Sequence, residues 1–476
     1  MRGALSDLKA APAVWAGVWL SLIVSQTAVC TIVAARRAID AAYHGPDAGL
    51  GANLSGPAML FSVVIAVFVM LWVVTAALNQ RRHQLALLVL QGATPWQLLF
   101  GNLAIIIVLF IVAAVAASLL TPLAAPYLFD LLARAFELKL TYQATQLLAS
   151  IGTGLAIAGV AVLAGAVLTV RTLSKIRPIE ALRQSQNPPR QVNAFRVLLG
   201  TSLLVGAICV LIIPGTATRK IDPGELATHI SGRNPIESRV TGFIGFSMGG
   251  MFLLIFALAV LAPYVMHWFT KGWTHLLPLP FSTWKLARQQ AVGRIQRQNA
   301  TIIPMTAGLS LLMTFSGVLH TLTDSLKNFA SNGHSMNVNP HMLTNLMAML
   351  GPALIIALVG AISGLMITAR GRRLDLALTY VSGASTGQLR ILGALDGLIS
   401  MVTSVLLAFV VTLLSTCGTA FMLQRYLGSA KISVQWGYWA VIALLAIVVG
   451  ALVTGVQALC ARSEDSVRVI SRAVGE

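Results

Sequence analysis

The sequence predicts an all-α polytopic membrane protein with about ten transmembrane helices, and three observations carry that expectation. The chain is 57% hydrophobic and only 10% charged, with a mean hydropathy of +0.82, a balance that does not build one water-facing globule. Many runs of about 20 residues nearly free of charge are long enough to cross a hydrocarbon layer as helices. Alternating ten-residue stretches of the kind that form barrel strands are absent from the sequence.

Taken in order, the candidate spans are 13–34, 58–79, 98–121, 147–170, 196–214, 240–265, 301–323, 345–368, 387–414 and 436–460. The first follows Arg2 and Lys9, but its apolar stretch outruns a signal-peptide core, so it is expected to remain as a membrane helix. With the N-terminus inside, 22 of the 33 Lys and Arg residues fall on inner segments and 11 on outer ones, which puts both termini in the cytoplasm. The net charge of +18 is then mostly an inner-face excess beside anionic lipid, and no nucleic acid is needed to explain it. The outer segments, about 35–57, 127–146, 215–239, 324–344 and 415–435, are too short for a large folded extracellular domain. Cys30, Cys209, Cys417 and Cys460 lie in or beside apolar runs without CxxC spacing and read as inert thiols.

Two stretches interrupt the apolar pattern in the same way. Residues 81–99 read RRHQLALLVLQGATPWQLL and residues 372–390 read RRLDLALTYVSGASTGQLR. At an offset of 372−81 = 291 they agree at nine of nineteen positions, including Arg82/Arg373, Leu85/Leu376, Leu87/Leu378 and Gly92/Gly383. Each follows the second span of a four-span block, and spans five and six are left over as a connecting pair. The chain therefore divides into a first four-helix repeat (1–185), a linker with the connecting helices (186–270) and a second four-helix repeat (271–476). Repeats of this kind usually meet at a shared interface. A basic amphipathic segment, 282–297, opens the second repeat. Trp284, Ala287, Ala291 and Ile295 recur at helical spacing, and Lys285, Arg288, Arg294 and Arg297 carry the opposite character, which suits a helix lying in the inner headgroup layer. Between the repeats, Pro178 can start a short helix, and the tract 186–190 reads as the linker.

The interruption has a physical grammar. Paired arginines at the inner end of a span snorkel into headgroups and fix where the membrane stops. The helix continues through Leu85, Ala86, Leu87, Leu88, Val89 and Leu90 to Gly92, a left-handed stop, and Thr94 with Pro95 starts the next span. The second copy stops at Gly383 and restarts at Ser385. An apolar helix at the cytoplasmic surface needs a cover: its own bundle, the lipid interface, or a groove on a partner. Two copies at equivalent places favour a partner with two equivalent sites.

Arg, a polar residue, LeuAlaLeu and then GlyAla before a span resembles the FtsX-like domain of ATP-binding-cassette permeases, the MacB-type or mechanotransmission class. ArgProIleGluAlaLeuArg at 177–183 is similar to that domain's closing tail, and TrpLysLeuAlaArg at 284–288 to its leading helix. The resemblance implies two FtsX-like repeats in a bacterial cytoplasmic membrane. It also implies that Arg82, Gln84, Leu85, Leu87, Leu88 and Gly92, with Arg373, Asp375, Leu376, Leu378 and Gly383, couple the permease to a separate cytoplasmic ATPase, two copies of it. No GxxxxGK[ST] occurs in the chain, so ATP and Mg belong to the partner and the permease is not itself an enzyme. Two departures stand out: the family's usual acid is Gln84 in one copy and Asp375 in the other, and the usual internal base is Val89 and Tyr380. Coupling is therefore expected to be more apolar than usual and unequal between the halves.

Asp396 lies about 16 Å into span nine at 1.5 Å per residue, hence near mid-membrane. Such a carboxyl is by default functional; the other reading is a protonated acid tying two helices, and the equivalent residue in the first repeat is Ile105. The histidines are scattered without ligand spacing, and no nucleophile–base or paired-carboxylate pattern points to catalysis or a metal. The function expected is ATP-driven export or extraction of an amphipathic or lipophilic compound, such as an antimicrobial peptide, an antibiotic or a lipid. Two alternatives are a non-transporting permease that controls a cell-envelope hydrolase or sensor kinase, and a proton-coupled carrier, which sparse intramembrane charge disfavours.

Overall fold

Backbone groups inside a bilayer must find partners within their own segment, which makes the helix the natural state of long apolar runs. The computed structural model describes residues 12–42, 48–80, 90–136, 144–173, 194–217, 235–277, 280–331, 342–428, 430–434 and 436–460, and among them there is no strand. The helices are α1 (Pro12–Ala42), α2 (Ala48–Gln80), α3 (Pro95–Phe136), α4 (Ala144–Leu173), α5 (Ala194–Ala217), α6 (Pro235–Leu276), α7 (Ser282–Ser331), α8 (Met342–Val381), α9 (Thr386–Leu427) and α10 (Trp436–Cys460). Each overlaps one expected span. Seven hold described stretches long and apolar enough to cross a membrane, while α4, α8 and α10 hold shorter ones, Leu147–Val160, Gly351–Ile367 and Trp436–Leu452. The chain is a multi-pass helical membrane protein.

The helices outrun the spans. α3 and α9 are each 42 residues long, about 63 Å at 1.5 Å per residue, or twice a hydrocarbon layer of roughly 30 Å. Segments 127–146 and 415–435, expected as outer loops, are therefore partly helix, and α3 passes through Pro122 and Pro126 without ending. These two helices begin and end at matching positions: 386−95 and 427−136 are both 291.

Within the first half, α1 packs on α2, α3 and α4, and α4 also packs on α2 and α3; within the second, α7 packs on α8 and α9, and α9 on α10. The halves meet where α8 lies along α2 and α1, with α7 also touching α2 and α3 touching α8. Close approach is set by small residues. Gly360 of α8 faces Val69 of α2 so tightly that a Cβ would overlap that valine, and a Cβ on Gly308 of α7 would come within 2.5 Å of Ala357 of α8. Without a hydrophobic driving force between helices in lipid, such backbone approach carries much of the association. α6 packs on α5, α7 and α9. It also reaches α2 through Phe252 on Phe61 and Phe256 on Phe68, both with centroids 5.4 Å apart.

α7 is the central helix: 22 of the 25 residues of its apolar stretch Thr301–Ser325 are buried, against four of the 24 residues of α5 at the periphery. Of the eight hydroxyls in that stretch, four return to their own backbone, among them Thr306 Oγ1 donating to the Ile302 carbonyl at 2.7 Å and Ser325 Oγ to that of Thr321 at 2.6 Å. They therefore pack as small side chains. A few hydroxyl pairs cross between helices, Thr314 to Thr412 at 3.2 Å and Ser247 with Thr419 at 2.6 Å. At about 0.6 kcal/mol each inside a membrane, they add less than close packing does.

Segment 282–297 is the first third of α7 rather than a separate helix. Its Trp284, Ala287 and Ala291 stripe is buried against Leu392 and Ile399 of α9, with Trp273 of α6 and Leu395 alongside. The apolar face expected to rest in lipid is therefore covered by protein, because α9 begins beside it.

Candidate coupling site

At the end of the bundle where α8 stops and α9 starts, the backbone turns sharply. α8 runs unbroken through Arg373, Asp375, Leu376 and Leu378 to Val381. From Arg370, the first cation on this helix, it runs a further eleven residues, about 16 Å, to Val381. The stop is a Schellman closure. Gly383 sits at φ 98°, its N–H donates to the Tyr380 carbonyl at 2.9 Å, and the Ala384 N–H reaches the Thr379 carbonyl at 3.3 Å. The restart is a capping box: Ser385 Oγ accepts from the Gln388 N–H at 3.3 Å, and Gln388 Oε1 accepts from the Ser385 N–H at 3.0 Å.

The first copy has the same elbow. Gly92 sits at φ 94°, Thr94 Oγ1 accepts from the Gln97 N–H at 3.3 Å, and Gln97 Oε1 accepts from the Thr94 N–H at 2.9 Å. Of the residues singled out in the sequence, Arg82, Gln84, Leu85, Leu87 and Leu88 lie outside the described residues. Gly92 and Gly383 occupy the two stops, and Arg373, Asp375, Leu376 and Leu378 lie on the last turns of α8. The boxes were legible as Thr94-x-x-Gln97 and Ser385-x-x-Gln388; only their first residues had been read as caps.

Both elbows expose apolar side chains. Around the first are Leu90, Trp96 and Phe100, the last two stacked with centroids 6.0 Å apart; around the second are Tyr380, Val381 and Ile391. Exposed apolar groups clustered at an elbow mark a surface that needs a cover.

Behind the second elbow lies Asp396, 8% exposed, whose Oδ1 accepts from Gln298 Nε2 at 2.5 Å. This contact and the Thr314–Thr412 bond both join residues 98 apart, so α7 and α9 run parallel in one register. Gln298 follows Arg297, the last cation of the leading part of α7, by one residue, and Asp396 is level with it. α9 spends its first turns alongside the leading part of α7, a register that the α9 sequence does not carry. Trp273 Nε1 donates to Thr403 Oγ1 at 3.1 Å and Trp284 Nε1 to the Leu277 carbonyl at 2.9 Å, tying α6, α7 and α9 together here. Gln298 had not been identified from the sequence; its only signal is an amide one turn before an apolar run. Among the described residues no three His, Cys, Asp or Glu side chains are grouped to hold a metal.

The family described as FtsX-like permease C-terminal matches residues 58–178, from within α2, through the first elbow, to just past α4. No curated protein matches the chain.

Proposed function

We propose that this chain is the transmembrane permease of an ABC-type system, with two FtsX-like repeats (1–185 and 271–476) joined by α5 and α6 in the region 186–270. The observation that carries the reading is the pair of matched elbows, glycine stop and capping-box restart, one of them inside the family match. Support for two repeats comes from α3 and α9, whose ends differ by the same 291 residues. It comes also from Val69 and Gly360, equally separated and in contact, since equivalent positions touch beside a two-fold axis.

In this reading both termini and both elbows face the cytoplasm, and two copies of a separate ATPase, carrying ATP and Mg, cover the exposed apolar groups. Arg82, Gln84, Leu85, Leu87, Leu88 and Gly92 grip one copy, and Arg373, Asp375, Leu376, Leu378 and Gly383 the other. Closure of the ATPase pushes the elbows together. The long helices α2, α3, α8 and α9 carry that motion outward and move an amphipathic or lipophilic compound, a peptide, antibiotic or lipid, out of the membrane. The Trp96/Phe100 pair of the first elbow corresponds to Gly387/Ile391 in the second, so the two grips differ.

The test is reconstitution of the chain with its co-purified ATPase in vesicles. ATP turnover stimulated by lipophilic compounds, with ATP-dependent movement of one of them, is expected. Turnover indifferent to all of them would point instead to a permease that signals without transporting.

A further inference from the structure

α6 carries no Asp, Glu, Lys or Arg from Val240 to Thr270, 31 residues or about 46 Å of helix, close to the 40–45 Å of a bilayer with its headgroups. Lys271 is the first cation as the helix leaves that stretch. Its Nζ lies 5.9 Å from the ring centroid of Trp268, which is 66% exposed. One turn on, His275 Nδ1 is 3.3 Å from Arg288 Nη1 of α7. Phe281, just before α7, and Lys285 and Arg288 within it stand at i, i+4 and i+7, so they follow one flank bordering this strip. Phe281 is 64% exposed and Lys285 is exposed. From Ser238 to Thr323 the sequence has no acidic residue.

We infer that the α6–α7 hairpin is a binding site for anionic phospholipid headgroups of the cytoplasmic leaflet, with Lys271, Lys285 and Arg288 facing the phosphates and Trp268 and Phe281 seated among the acyl-chain ends. The inference rests on the proposed orientation of the chain. Charge complementarity selects the occupant: cations in a stretch of sequence without an acid, interleaved with exposed aromatic rings, match a negatively charged lipid surface. A tryptophan where an uncharged helix first meets a lysine is the usual composition of a membrane interface. The buried stripe Trp284, Ala287 and Ala291 on the same segment faces α9, so the lipid-facing side is the basic flank.

The test uses the full-length chain in a neutral detergent, without any ATPase, so its outcome is independent of the coupling reading. Phosphatidylglycerol is titrated against phosphatidylcholine while the thermal unfolding midpoint is followed. Phosphatidylglycerol is expected to raise the midpoint, the rise to shrink in high salt, and phosphatidylcholine to give less than half of it. K271Q/R288Q should lose at least half of the rise, and K271R/R288K should keep it, which separates lost charge from poor folding. An equal rise with both lipids, or an undiminished rise in K271Q/R288Q, overturns the proposal.

Discussion

Replacing Asp396 by Ile, the residue at the corresponding position 105, isolates the link between α9 and the leading part of α7. In the native chain Gln298 Nε2 donates to Asp396 Oδ1 at 2.5 Å, while Gln298 Oε1 is buried without a partner. Asp396→Ile leaves the amide N–H group buried with no acceptor there, which costs about 1–3 kcal/mol. Asp396→Asn keeps an acceptor at the same place and should cost less than about 1 kcal/mol. Gln298→Leu removes the Nε2 donor to that carboxyl and should cost a comparable amount. The double variant Gln298→Leu/Asp396→Ile removes both polar partners, and paired apolar replacement is close to neutral. A double-mutant cycle should therefore return a coupling energy of about 1–3 kcal/mol. The assay is reversible unfolding of the purified chain in mixed micelles of increasing SDS fraction, followed by tryptophan fluorescence. Additive costs, with the double variant as unstable as the two single changes summed, would refute the register assigned to α7 and α9.

Three further outcomes follow from the geometry. Gly383→Ala should cost about 1–2 kcal/mol, since a side chain at φ 98° is strained, and Gly383→Asn should cost less; both are read in the same micelle titration. Ser385→Ala removes a cap worth about 1 kcal/mol and should speed amide exchange in the first turn of α9 while leaving α7 unchanged. A Cβ on Gly360 lies 3.2 Å from Val69 Cβ, near the ~3.8 Å of a disulfide. V69C/G360C should thus cross-link on oxidation, holding together the two fragments of a chain cleaved at an engineered site in 186–190; fragments that separate without reductant would contradict the α2–α8 contact.

Much of this architecture could be read from local signals. Every expected span falls on a helix, because uncharged runs of this length have no alternative in lipid, and Gly92 and Gly383 stand where an apolar helix needed a left-handed stop. Helix ends were harder: span three was expected to stop at 121, yet α3 continues through Pro122 and Pro126 to Phe136, where packing around Phe129 and Leu132 covers it. The pairing of Asp396 with Gln298 and the cover over Trp284 depend on which helix lies alongside and in what register. Those are tertiary facts, set by contacts such as Gln298–Asp396 and the Trp284–Leu392–Ile399 cluster. An amphipathic stripe has the same sequence whether protein or lipid faces it.

The central claim is that the two elbow segments dock a separate ATPase, and co-purification after charge insertion tests it most directly. The chain carrying an affinity tag is co-expressed with the ABC ATPase that co-purifies with it, and the ATPase recovered per permease is measured for the wild type, Leu87→Asp, Leu378→Asp and the double variant. The account predicts partial loss in each single variant, unequal between the two, and near-complete loss in the double variant with the permease still folded. Undiminished recovery in Leu87→Asp/Leu378→Asp would contradict it.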